Sequence, residues 1–88
     1  MSLTLNWEQI EPALAGVDLL EEMAAGFKAY SAGDCVVPPV GELLFEEPRG
    51  EVHIKYGYLK GGAHYVVKIA SGFYHNPGLG IPSSQGLM

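Results

Sequence analysis

From Glu51 the chain alternates: EVHIKYGYL and then AHYVVKIA place apolar and polar side chains at every second position, with Lys60-Gly61-Gly62 between the runs. Such alternation predicts strands with one half-buried face, and glycines between two alternating runs predict a β-hairpin. With Gly61-Gly62 as a two-residue loop, Tyr58 meets Tyr65, Tyr56 meets Val67 and Ile54 meets Ile69 on one apolar face. The opposite face then carries His53, Lys55, Gly57, Leu59, His64, Val66, Lys68 and Ala70, and Lys55 stands directly across from Lys68.

Upstream the period changes. Asn6 with Gln9, and Asp18 with Glu21, have the spacing of capping boxes and predict two helix starts. The first helix is short, with Ile10 and Leu14 on one side and Pro12 limiting its regularity. The second sets Leu20, Met23, Phe27 and Tyr30 on one stripe, read as core packing, and runs to about Ala32 before Gly33 stops it. The segment VVPPVGELLF reads as an irregular edge strand, because Pro38 and Pro39 have no N–H to donate to a ladder. Glu46 to Gly50 forms a polar turn. These elements predict an α+β fold: two N-terminal helices packed on a small mixed, mainly antiparallel sheet, as a single domain over residues 1–88.

Composition sharpens the picture in three ways. With 88 residues and a hydrophobic fraction of 48%, the chain has one thin core and apolar surface left over, so a homo-oligomer is expected. The net charge of -5, with basic residues scattered at Lys28, Arg49, Lys55, Lys60 and Lys68, argues against nucleic acid as a partner. No apolar run has the ~18 residues of a membrane span, and the N-terminus lacks a signal-peptide pattern, so a soluble, cytoplasmic protein with no membrane partner is expected. A lone Cys35 suits a reducing compartment and reads as a small half-buried residue near a turn.

The lysine pair carries the chemistry. Like charges directly opposed on neighbouring strands are destabilising, so Lys55 and Lys68 either snorkel to solvent, pair with acids such as Glu42 or Glu51, or hold an anion between them. Lys68 lies in VVKIA, whose β-branched neighbours predict a central strand with little room for snorkelling. That makes Lys68 a candidate carboxylate-binding or acid–base group, with Lys55 as its neighbour. His53, His64 and His75 have no further ligands at metal spacing, so no metal is expected. GLGIPS begins like a dinucleotide fingerprint, but Pro82 interrupts it and no helix follows; it reads as a loop, with no cofactor site.

The run VVKIASGFYHNPGLGIPSSQGLM, with EVHIKYGYLKGG before it and FKAYSAGDCVVPP earlier, resembles the N-terminal part of the ornithine cyclodeaminase and mu-crystallin family over nearly all 88 residues. The resemblance implies a substrate-binding and dimerisation domain, followed in such proteins by a separate Rossmann domain that holds NAD or NADP. It implies that Lys68 contacts the substrate carboxylate and assists catalysis, that Asn76-Pro77 shapes the pocket, and that Ser83, Ser84 and Gln85 lie on a strand lining it. Family reactions include cyclisation of ornithine to proline, amino-acid dehydrogenation and ketimine reduction, all on a small amino or keto acid, with the cofactor carrying the hydride.

Two positions depart from the family pattern. An arginine expected shortly after the first-strand proline is replaced by Val40, Gly41 and Glu42. Lys55, thirteen residues before Lys68, stands where ornithine-cyclising members have a glutamate, so ornithine is not the expected substrate. The resemblance covers only the part of the family that precedes the Rossmann domain, and the chain is therefore expected to be a fragment, catalytically inert alone. The alternative is a stand-alone oligomeric module, derived from that enzyme half, that binds a small anion or a partner.

Overall fold

The computed structural model describes residues 2–88, which divide into two compact units, one ending at Ala32 and one spanning Gly33–Met88. The first holds α1 (Trp7–Leu14) and α2 (Leu19–Ser31). Asn6 Oδ1 accepts from the Gln9 N–H at 3.1 Å and Gln9 Oε1 accepts from the Asn6 N–H at 2.9 Å, so the first capping box is closed in both directions. Asp18 Oδ1 accepts from the Glu21 N–H at 3.1 Å and starts α2. Pro12 sits inside α1 without ending it, and α2 stops at Ser31, two residues before Gly33 with its left-handed φ of 79°.

The stripe on α2 has the expected spacing but not the expected burial. Leu20 and Phe27 are 86% and 73% exposed, and Met23 and Tyr30 are exposed as well. Among the described residues no hydrophobic side chain is fully buried. Helical periodicity reports which side chains share a face; whether anything covers that face is a separate matter.

The second unit is a five-stranded sheet of β1 (Cys35–Val36), β2 (Gly41–Phe45), β3 (Gly50–Leu59), β4 (Tyr65–Phe73) and β5 (Ser84–Leu87). Every pairing is antiparallel, so the expected parallel component is missing. β1 and β2 both lie along the outer edge of β3, and β4 and β5 follow on its other side. The single irregular strand expected over 36–45 is thus two strands, interrupted at residues 37–40 where Pro38 and Pro39 lack donors. Both remain on the sheet edge, as proline requires.

The hairpin register matches the alternation: Lys55 pairs with Lys68, Ile54 with Ile69, Tyr56 with Val67 and Tyr58 with Tyr65. The connection, however, runs from Lys60 to His64. Its tight part is the turn in which the Gly62 N–H donates to the Leu59 carbonyl at 3.0 Å, with Gly61 at φ 78°. Ala63 and His64 then extend the loop, so His64 is not on the strand face to which alternation assigned it.

At the other end of the hairpin Gly50, the buried first residue of β3, pairs with Phe45 on β2 and with Phe73 on β4. The missing side chain lets the two rings meet over it, with centroids 5.5 Å apart and planes tilted by 46°. A Cβ at Gly50 would come within 2.4 Å of Phe73 Cδ1 and 2.6 Å of the Gly72 carbonyl oxygen. Gly50→Ala is expected to destabilise the sheet by about 1–3 kcal/mol in urea unfolding, through overpacking. Gly78→Ala, where a Cβ meets nothing within 4 Å, is the control and should be neutral or slightly stabilising. Equal stability of the two variants would remove the aromatic bridge from the account.

Candidate functional site

Side chains alternate across a strand, so the register sorts the sheet into two faces. One carries Leu43 and Phe45 of β2, Val52, Ile54, Tyr56 and Tyr58 of β3, and Val67, Ile69 and Phe73 of β4. The other carries Glu42 on β2, Glu51, His53 and Lys55 on β3, Lys68, Ala70 and Gly72 on β4, and Ser84 and Gly86 on β5. Nearly all the polar chemistry of the unit is on this second face.

Its charges are matched unequally. Glu42 and His53 are direct cross-strand partners, and Glu42 Oε2 lies 2.9 Å from His53 Nε2. Glu51 engages the Tyr74 phenol: a hydrogen bond to the carboxylate, then its negative charge, hold the phenol above its ordinary pKa. Arg49, with its guanidinium carbon 5.9 Å from the Tyr74 ring centroid, pulls the other way. Of the two acids proposed as lysine partners, Glu42 is engaged with His53, and neither it nor Glu51 pairs with a lysine. Lys55 and Lys68 face each other in the ladder, and among the described residues neither makes an ion pair with a carboxylate.

Both lysines are exposed. Lys68 does lie on an inner strand, since β4 is flanked by β3 and β5. Its side chain nonetheless leaves the sheet into solvent, so the crowded, desolvated lysine inferred from VVKIA is not what the fold provides. What it provides is two adjacent ammonium groups without an internal counterion.

A groove of roughly 600 Å³ lies on the Lys68 side of this pair, and Lys55 does not border it. Lys68 closes one end, Glu51 and His53 border it from β3, Ser84 borders it from β5, and the small residues Ala70 and Gly72 form its floor. Small side chains at consecutive inward positions of a central strand leave a depression that longer ones would fill. Alternation alone marked those positions, but the pairing of β4 with β5 was needed to see that Gly86 continues the depression.

The remaining candidates separate. Ser84 and Gln85 both border the groove, but only Ser84 has its side chain on the lysine face; Gln85 pairs with Ser71, its backbone carbonyl 3.4 Å from Ser71 Oγ, and belongs by alternation to the opposite one. Asn76 opens a short 3-10 turn (Asn76–Leu79), donates its side-chain N–H to the Pro82 carbonyl at 3.1 Å and accepts from the Ile81 N–H at 3.2 Å. Asn76 therefore ties the loop to itself and does not border the groove. Ser83 accepts the Phe73 N–H through its carbonyl at 2.8 Å and begins the pairing of β5. Cys35 is a free, half-buried thiol in β1.

NAD or NADP, implied by the resemblance, does not fit the residues of this chain. Residues 78–83, which carry the glycine-rich run, are the end of a 3-10 turn and a loop leading to β5, with no strand before them and no helix after to receive a pyrophosphate.

Comparison with known proteins adds a relationship. No family model and no solved structure matches the chain. It is similar to a Rhizobium meliloti protein named "Putative dehydrogenase", with 35% identity over 83 residues, 89% of this chain and 25% of that protein. It is also similar to a Sinorhizobium fredii protein named "Uncharacterized cyclodeaminase", with 38% identity over 63 residues, 70% of this chain and 19% of that protein. The chain thus spans about a quarter and about a fifth of the length of these curated relatives. One of these relatives is named a dehydrogenase and the other a cyclodeaminase.

Proposed function

We propose that the sheet provides the substrate-carboxylate site of an ornithine cyclodeaminase-like enzyme that converts a small amino or keto acid with NAD or NADP. The observation that carries the reading is the directly opposed Lys55–Lys68 pair, with which no carboxylate among the described residues makes an ion pair. Like charges at such positions cost stability, and a carboxylate supplied by substrate offsets that cost. Lys68, at the end of the groove, is the group that would pair with the carboxylate, and the Ser84 hydroxyl stands on the same face as a neutral hydrogen-bonding group. The cofactor would be held by residues other than these 88, and the isolated chain would turn nothing over.

The exposed apolar surface favours a second reading, an oligomeric small-anion-binding module. Large side chains on the apolar sheet face and on α2 are at least partly open to solvent, from Leu20 at 86% to Ile69 at 39%. Apolar area of that extent is stabilised by burial against another surface. This reading needs no cofactor, and it shares the lysine site with the first.

Two outcomes are expected. In an NMR titration of the chain with propionate, the largest shifts should fall on Lys68, Lys55 and Ser84, and Lys68→Met should weaken binding by up to about fivefold, the worth of one exposed ion pair. Unchanged affinity in Lys68→Met would refute the carboxylate site. Sedimentation of the chain should give an oligomer, and a monomer at all concentrations would refute the module. Oxidation of any small amino acid with NAD by the chain alone would contradict both readings.

A further inference from the structure

We infer that the ligand of the lysine face carries two anionic groups, each paired with one lysine: a small dicarboxylate. This inference rests on the carboxylate reading and goes beyond it by assigning Lys55 a second anionic subsite.

The argument turns on charge matching along β3. Two residues apart on the same face stand two cross-strand pairs, Glu42–His53 and Lys55–Lys68. The first is an acid against a base at 2.9 Å, and is satisfied within the sheet. The second is base against base, with α-carbons about 4.5–5.5 Å apart as in any antiparallel pair. A single carboxylate placed between them neutralises one charge and leaves the other. Two carboxylates on a short spacer neutralise both, and the flexible lysine stems adjust to the spacing.

Lys55 stands outside the groove, across the ladder from Lys68, and the groove itself disfavours a second anion. Its far end is bordered by Glu51, which repels a carboxylate extended along β4 away from Lys68. The other direction leads across the ladder to Lys55, where a second carboxylate meets an opposite charge. A phosphate also matches two ammonium groups by charge, but no set of backbone N–H groups converges on it here. Here β4 is a regular strand, with Lys68 in register with β3 and the following residues paired on both sides.

Calorimetric titration of the 88-residue chain at low ionic strength with succinate, glutarate, propionate and inorganic phosphate tests the inference. Succinate or glutarate should bind about fivefold tighter than propionate, as one further exposed ion pair requires. Lys55→Met should lower dicarboxylate affinity to the propionate level, with circular dichroism confirming the fold and Lys55→Gln as the second variant. Equal affinity for succinate, glutarate and propionate, a preference that survives both substitutions, or phosphate as the tightest ligand would overturn the dicarboxylate while leaving the carboxylate site standing. No binding by any of the four would overturn both.

Discussion

The register of the β3–β4 ladder is the constraint on which the second unit depends. Nine residue pairs join the two strands, and a slip of one residue would exchange the two faces, sending Lys55 and Lys68 among the tyrosines and valines. Two features pin it. At one end Gly50 makes room for Phe45 and Phe73 to meet, and at the other Gly61 lets the chain turn back on Leu59. Between them apolar pairs such as Ile54–Ile69 and Tyr56–Val67 hold one face together. With the register set, two lysines opposing each other follow automatically.

That opposition gives the polar face its character. A sheet can tolerate a like-charged pair by neutralising it locally, and this sheet has acids on the same face with which to do so. Neither is used on the lysines: Glu42 pairs with His53 in the next register pair, and Glu51 makes no ion pair. The resulting surface has a compensated half and an uncompensated half, separated by two residues along β3. The groove with its small-residue floor is bordered by Lys68 from the uncompensated half and by His53 and Glu51 from the compensated one. Proximity of free cations to a concave surface is the arrangement through which a site recognises a carboxylate by charge and shape together.

Much of this was legible in the sequence. Strict alternation and two glycines predicted the ladder pairing residue for residue, because the position of the turn fixes the register and alternation then puts Ile54, Tyr56, Tyr58, Tyr65, Val67 and Ile69 on one face. Asn6 and Asp18 were legible as helix caps, since their geometry involves neighbours three residues away. The burial of the α2 stripe was not, because Leu20 and Phe27 on a helix face say nothing of what lies opposite. Nor was the exposure of Lys68: β-branched neighbours identify an inner strand, but a strand with strands on both sides still has two open faces. The position of Gln85 depended on the pairing of β5 with β4, a contact across fourteen residues that no local pattern encodes. Asn76 looked like a pocket residue and serves the loop, because an Asn beside a proline is equally suited to closing a turn on its own carbonyls.

The central claim is that Lys55 and Lys68 repel each other in the free chain and await an outside anion. A double-mutant cycle of Lys55→Met and Lys68→Met, read as unfolding free energy at low ionic strength, tests it most directly. The account predicts that each single variant is more stable than the wild type, that the double variant gains less than the two gains together, and that the unfavourable coupling is about 0.2–1 kcal/mol. Strictly additive effects, or a favourable coupling between the two lysines, would contradict it.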